Sequence, residues 1–253
     1  MIKLFPPFFS LSFFLALSVA VLTGCGSTGS TPPNKSAQVH TELAGLYYDR
    51  EQLGIALEEI EQALRADEDY APAYSMRGLV HMKLREDKEA EEDFKKSLSL
   101  DKNNSEAHNN YGWFLCQRDR EKESIPHFLG ALKNPLYQTP GRAYLNAGLC
   151  SKKAGNKKDA EEFLQRALLL EPGLPQALLG LAELSFANGD YAAAKKYFIG
   201  FSERADSLTV EQLWLAVRIE RKVGDRNSES SYGMQLRNRF PDARETQMFL
   251  RGE

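Results

Sequence analysis

Three cysteines, four histidines, several runs of acids and a cluster of amides beside a tryptophan are the residues of this chain whose types could do chemistry. Bond-making chemistry finds no frame for them. There is no G-x-S-x-G elbow to expose a nucleophile, no phosphate-cradling P-loop, no H-E-x-x-H helix and no glycine-rich dinucleotide turn. A zinc site needs closely spaced thiols or imidazoles, and no C-x-x-C occurs while His40, His81, His108 and His127 are scattered. Glu58-Glu59 and Glu91-Glu92-Asp93, with Lys95 and Lys96 beside them, read as solvated helix faces. No catalytic residue, metal, cofactor or small-molecule substrate is therefore expected. What remains is covalent attachment, cross-linking and binding.

The first of these falls to Cys25. Met1-Ile2-Lys3 supplies a positive start, and Phe8 to Leu22 is apolar apart from Ser10, Ser12 and Ser18. That run is short for a membrane span, and Pro6-Pro7 stops it extending backward. It ends in Leu22-Thr23-Gly24-Cys25, which resembles a bacterial lipobox. The cysteine thiol would form the thioether to diacylglycerol, and small residues before it let a signal peptidase in. An ordinary signal peptide with a chance cysteine is the alternative. Residues 1–24 are thus expected to be a lipoprotein signal peptide, with 25–36 a lipidated cysteine and flexible tether, GSTGSTPPNKS. Gly26 is not the aspartate that retains such lipoproteins at the inner membrane, so the expected address is the periplasmic face of the outer membrane. Several acyl chains hold firmly, since each buried CH₂ contributes about 0.8 kcal/mol.

The chain as a whole is 42% hydrophobic and 26% charged, which suits a packed, water-soluble body. The formal charge is -3; without Lys3 the mature chain keeps 31 bases against 35 acids. A mildly acidic surface gives no reason to expect nucleic acid as partner. Runs such as Lys152-Lys153 and Lys157-Lys158 read as solvated helix ends.

This body repeats. Ala44, Gly78, Gly112, Gly148, Ala182 and Ala216 recur at gaps of 34, 34, 36, 34 and 34 residues. Twelve residues after each stand Ala56, Ala90, Ser124, Ala160, Ala194 and Ser228, all small. Four further on are Ile60, Phe94, Phe128, Leu164, Phe198 and Tyr232, all large, and three more gives Ala63, Ser97, Ala131, Ala167, Phe201 and Gln235. The period matches the tetratricopeptide repeat, a helix–turn–helix unit whose small residues let helix A meet its own helix B. Gly155-Asn156, Gly189-Asp190 and Gly224-Asp225 mark the turns inside hairpins, and Pro72, Pro172, Pro175 and Pro241 lie between them. The expected fold is all-α: a right-handed superhelical solenoid of about six repeats over 37–253, near 37–70, 71–104, 105–138, 141–174, 175–208 and 209–242. The sixth lacks a small residue at Gln235 and is expected to be a distorted cap. The two extra residues fall in Lys133-Asn134-Pro135-Leu136-Tyr137-Gln138-Thr139-Pro140, read either as a tolerated insertion or as a contact feature or hinge.

Helix A of each repeat lines the concave wall. Its register assigns a partner-binding groove to Asn109, Trp113 and Gln117 of repeat three, with Leu79 and Met82 of repeat two and Leu145 and Leu149 of repeat four. Thr41, Ser75, Lys83, Glu106, Cys116, Arg142, Lys152 and Lys153, with Tyr48 and Asp49, share that register. Apolar area beside amides suits a peptide backbone; the alternative is that Trp113 only packs between hairpins. Cys116 and Cys150 fall near the ends of adjacent A helices. They are candidates for a disulfide in an oxidising compartment, the alternative being two buried thiols.

Ala107-His108-Asn109-Asn110-Tyr111-Gly112-Trp113-Phe114-Leu115-Cys116-Gln117 resembles the signature segment of the type IV pilus biogenesis/stability lipoproteins, the PilF/PilW pilotins. The similarity runs through lipobox, spacer, repeats and the Asn-Pro-Leu-Tyr connection. It implies an outer-membrane lipoprotein whose partners are secretin subunits of the type IV pilus, assisting their localisation and multimerisation. A lipobox and repeats alone would equally fit an adaptor or scaffold for another cell-envelope assembly machine.

Overall fold

A computed structural model describes residues 34–253, so Cys25 and the leader lie outside the described residues. Among the described residues there are thirteen helices and no strand. Six hairpins follow in order: α1 (Lys35–Asp49) with α2 (Leu53–Ala66), α3 (Ala71–Leu84) with α4 (Asp87–Leu100), α5 (Ser105–Gln117) with α6 (Glu121–Ala131), α7 (Pro140–Lys153) with α8 (Lys157–Leu170), α9 (Pro175–Ala187) with α10 (Tyr191–Ser202), and α11 (Val210–Val223) with α12 (Arg226–Arg239). Each hairpin packs chiefly on itself and its neighbour, the arrangement of an all-α superhelical repeat fold. α1 starts two residues inside the segment read as tether, because Asn34 caps it: its side chain accepts from Ser36 N and donates to Ala66 O at 2.8 Å.

The small–large pattern is the packing. In repeats one to five every residue of the four recurring positions is buried, from Ala44, Ala56, Ile60 and Ala63 to Ala182, Ala194, Phe198 and Phe201. A Cβ placed on Gly78 would meet the Phe94 ring at 2.8 Å, one on Gly112 the Phe128 ring at 2.8 Å, and one on Gly148 Leu164 Cγ at 2.6 Å. The glycine is thus the hole that the large residue of the same hairpin fills. Ser97 keeps the pattern despite its hydroxyl, which donates to Ala71 O at 2.7 Å.

Turn chemistry divides the array. Gly155, Gly189 and Gly224 take φ values of 77°, 82° and 89°, and Asn156, Asp190 and Asp225 cap the following helices with side-chain oxygens. The first three hairpins turn through the same left-handed conformation at Glu51, Arg85 and Asp119, without glycine, at a cost of about 1 kcal/mol each.

The ends differ too. The sixth repeat leaves Ser228, Tyr232 and Gln235 part-exposed, and a helix outside the repeat pattern, α13 (Arg244–Leu250), closes it. Phe249 of α13 occupies the space a Cβ on Gly233 would take, so a fresh small–large contact replaces the lost one. At the other end Leu46 is 53% exposed, whereas Val80, Phe114, Cys150 and Leu184 at its register are buried. They are covered by a preceding hairpin, and among the described residues none precedes Leu46.

The packing predicts that Gly112→Val costs about 1–3 kcal/mol, as overpacking of a filled core does. Chemical denaturation should show that loss, partly recovered when Phe128→Leu makes room.

Candidate functional site

The A helices α1, α3, α5 and α7 form one wall, and two adjoining hollows of about 370 and 330 Å³ open on it. Tyr48, Leu79, Asn110 and Arg142 border both. Asn109, Trp113, Leu145 and Asn146 complete the smaller hollow; the larger extends over Thr41, Ser75 and Met76. Of the groove residues expected from register, Leu79, Asn109, Trp113 and Leu145 therefore lie together.

The other three do not. Met82 packs against Phe94 and Phe114 and borders a separate polar hollow with Lys83, Arg85, Asp87 and Arg118. Leu149 is half-buried against Leu164 and Leu181. Gln117 is exposed at the end of α5 and lines neither hollow. The register repeats every 34 residues, but these three lie in the later turns of α3, α5 and α7, beyond the stretch of wall on which the hollows open. Cys116 also leaves the groove: it is 2% exposed and faces α7.

Two amides organise the wall, and only one was legible beforehand. Asn109 is 2% exposed and its Oδ1 accepts from Asn146 Nδ2 at 3.0 Å, tying α5 to α7. Asn110, one residue on, donates to Ser75 Oγ at 3.2 Å, tying α5 to α3. Consecutive asparagines thus reach opposite neighbours. Asn146 and Asn110 were missed because each takes a position that a single-helix reading gives to packing. Buried amides without such partners would cost several kcal/mol, so these bonds hold the wall in one register.

Trp113 does both jobs open to it. Its ring packs against the core around Cys116, Phe128, Ala147 and Cys150, yet part of it borders the smaller hollow. At the rim, Lys83 pairs with Glu51 at 3.0 Å and lies 5.2 Å from the Tyr48 ring. The connection after repeat three folds onto the same rim: Tyr137 donates to Glu106 at 3.1 Å, and burial keeps its phenol protonated well above the ordinary range. Leu136 beside it stands 78% exposed.

Behind the wall Glu58 and Glu92 lie exposed as expected, whereas Glu59, Glu91 and Asp93 are tied down. Asp93 is 5% exposed and accepts from Arg77 Nε at 2.8 Å and Nη2 at 2.7 Å, a fork-to-fork pair. Glu91 accepts from Arg120 at 2.8 Å and from Tyr111 at 2.9 Å, and the Arg120 guanidinium holds its carboxyl down at about 2. Glu59 meets His40 at 2.6 Å. Lys152 pairs with Glu183, and Lys153 donates to Cys116 O at 2.7 Å, so these helix ends too are engaged.

Histidines far apart in sequence also meet. His108 and His127 approach at 3.1 Å between their Nδ1 atoms, and the His127 ring stands edge-on to Tyr111 at 4.5 Å. Among the described residues no third His, Cys, Asp or Glu joins them to make a metal cluster. Burial, helped by the like charge of His108, pushes His127 down to about 4. Cys116 and Cys150 face each other across α5 and α7 with Cα atoms 5.9 Å apart, joined as a disulfide.

Two outcomes follow. Unfolded His127 takes its proton near 6.5 and folded His127 near 4, so between these values the unfolded state binds more protons and stability falls as the pH drops. Denaturation midpoints from pH 7 to pH 5 should fall more steeply for the parent than for His127→Gln. A closed loop between residues 34 apart contributes about 3–4 kcal/mol on the chain-entropy model. The oxidised protein should therefore lose about that much in Cys116→Ala/Cys150→Ala, and thiol titration of the unfolded, unreduced parent should count neither sulfur.

Comparison with known proteins gives this architecture a family. Tetratricopeptide-repeat models match residues 71–104, 94–125 and 152–205. The type IV pilus assembly protein PilF of Pseudomonas aeruginosa is 30% identical over 95% of this chain and 96% of its own. The crystal structure of PilW, a widely conserved type IV pilus biogenesis factor, covers 86% of this chain and 99% of its own at 34% identity and a TM-score of 0.76. That of Pseudomonas aeruginosa PilF covers 87% and 99% at 28% identity and a TM-score of 0.82. The expectation drawn from the Asn109–Gln117 segment is thereby met at the level of family: the chain belongs to the PilF/PilW family of tetratricopeptide-repeat type IV pilus biogenesis proteins.

Proposed function

We propose that this pilus biogenesis protein is a pilotin: a lipoprotein, anchored through Cys25 at the periplasmic face of the outer membrane, that binds secretin subunits and promotes their localisation and multimerisation. The observation that supports it most is the pair of hollows on the wall of repeats one to four. They offer half-buried Trp113, Leu79, Leu145 and Tyr48 as apolar anchors, framed by Asn109, Asn110 and Asn146. Aromatic anchors in a hollow with polar edges are what a protein-binding hot spot needs. The wall is held by bonds among its own helices, so little order has to be gained on binding and more of the contact energy appears as affinity.

The anchor and the wall act together in this reading. Lipid at Cys25 confines the wall to a thin layer beside the membrane, and a secretin segment held there meets its neighbours at a raised local concentration. No catalytic step is required. The hollows take a chain segment, and the membrane supplies the meeting place.

The test is the amount of heat-resistant secretin multimer in outer-membrane fractions. Multimer should disappear on deletion of the gene, and be lost or misplaced with Cys25→Ser. Trp113→Ala, folded and anchored, should reduce it by at least about tenfold if Trp113 is a hot spot of 2 kcal/mol or more. Multimer unchanged by deletion and by Cys25→Ser would remove the secretin as client and leave an adaptor of another envelope machine. Multimer unchanged by Trp113→Ala alone would move the contact off this wall.

A further inference from the structure

The register that organises the array is broken at one charged position. Leu46, Val80, Phe114, Cys150 and Leu184 occupy equivalent places in repeats one to five, and Val80, Phe114, Cys150 and Leu184 are each no more than 5% exposed. In repeat six the same place holds Arg218. A guanidinium there gives up hydration that an aliphatic side chain would not miss. Burial accordingly lowers its pKa below the ordinary arginine range.

Its surroundings do not repay that cost with a partner. Arg218 Nε is buried and has no hydrogen-bond acceptor, and among the described residues no carboxylate lies within ion-pair distance of the group. Each acid nearby is engaged elsewhere. Glu183 of α9 is held by Lys152, Glu220 by Lys195 at 2.6 Å and Asp225 by Lys195 at 2.9 Å. Glu229 takes both Arg221 at 2.6 Å and Arg226 at 2.9 Å, and Glu211 accepts from the Thr209 hydroxyl at 2.8 Å. Arg218 is left without a carboxylate among the described residues.

The guanidinium is nonetheless fixed. Its carbon lies 4.8 Å from the Phe186 ring of α9 and 5.9 Å from the Trp214 ring of its own helix. The ring faces attract the cation and take up none of its N–H donors. Nε itself is buried, but the two terminal nitrogens have no partner and are not buried, so they present the N–H groups that solvent can reach. Lys222, one turn further along α11 and 5.8 Å from the Tyr191 ring, adds a second cation with no carboxylate within ion-pair distance. A planar donor fork held beside two aromatic rings and without an internal acceptor matches a carboxylate better than any other group of a polypeptide.

We propose that Arg218 is a carboxylate-recognition residue: the seam between α9 and α11 binds an acidic side chain or the C-terminal carboxylate of a protein partner, apart from the hollows on repeats one to four. The arrangement stores the desolvation cost in the free protein and releases it when the carboxylate arrives. It does not depend on the partner being a secretin.

The chain from residue 25 onward is titrated, by fluorescence anisotropy at physiological ionic strength, with three labelled pentapeptides. These are pentaglutamate with an amidated C-terminus, pentaalanine with a free carboxylate, and amidated pentaalanine as blank. One of the two carboxylate peptides should bind and the blank should not; which one binds tells a side-chain acid from a C-terminus. Arg218→Leu, which restores the side chain of position 184, should weaken binding by at least about tenfold, the scale of a hydrogen-bonded charge. Arg218→Lys should fall between, keeping charge but not the fork. The melting temperature of Arg218→Leu should equal or exceed that of the parent, because a purely structural arginine would lower it on removal. Arg218→Gln, polar and of similar reach, gives the same reading should the leucine variant fold poorly. The proposal is overturned if neither carboxylate peptide binds at millimolar concentration, or if the leucine and glutamine variants bind as the parent does. It is also overturned if inorganic phosphate displaces the peptide as well as acetate does, which would mark an unselective anion site.

Discussion

Everything in this molecule hangs on a contact between a residue with no side chain, or almost none, and a ring or branched side chain one helix away. In the second hairpin Gly78 receives Phe94, in the third Gly112 receives Phe128, and in the fourth Gly148 receives Leu164. The contact sets the distance between the two helices of each hairpin and therefore how the next hairpin stacks on it. No hairpin could bury its own faces alone; Phe94, Phe128 and Leu164 reach 0% exposure only because neighbours close over them. At roughly 1.5–3 kcal/mol for each large side chain buried, a few such residues supply much of what a repeat gains by joining the stack.

That constraint also decides where polar chemistry can go. With one face of each A helix committed to packing, polar groups must sit on the wall or be matched across it. Asn109 and Asn110 solve this by pairing forward to Asn146 and backward to Ser75. Lys153 and the sulfur pair at Cys116 and Cys150 add two further ties between the same two A helices. The third and fourth repeats are thus held covalently as well as by polar ties, although the longest connection of the front half runs between them. Tyr137 closes that connection onto Glu106, so the inserted residues add a surface at Leu136 without loosening the stack.

The fold and the wall were legible in the sequence to different depths. Periodicity placed all six hairpins, because a buried small–large contact tolerates few residue types and so leaves a trace at fixed spacing. It also placed Leu79, Asn109, Trp113 and Leu145 on one face. Met82, Leu149 and Gln117 shared the register but not the hollow, since the spacing of residues along one helix says nothing of how far along the wall the hollows extend. The pairing of His108 with His127 and the tying-down of Glu91 and Asp93 were beyond reach for a related reason. Each joins residues 16 to 29 positions apart on different helices, and side-chain reach, not period, brings them together. α13 carries no repeat, so nothing periodic announced it. Phe249 shows why it is needed: the last hairpin had lost its own small residue at Gln235 and borrows closure from outside.

A stack of nearly independent units can afford an exception that a single core could not, because each unit answers only to its neighbours. An arginine on a buried register would threaten a compact domain with an uncompensated charge, whereas here the cost is confined to the seam between two hairpins and softened by the Phe186 and Trp214 rings. The same locality explains the open first repeat, where Leu46 stays exposed without disturbing Val80 one repeat on. In such an architecture the places that obey the period report on stability. Those that break it at a measurable cost are where binding is to be sought, and Arg218 breaks it with a charge that the molecule itself leaves unanswered.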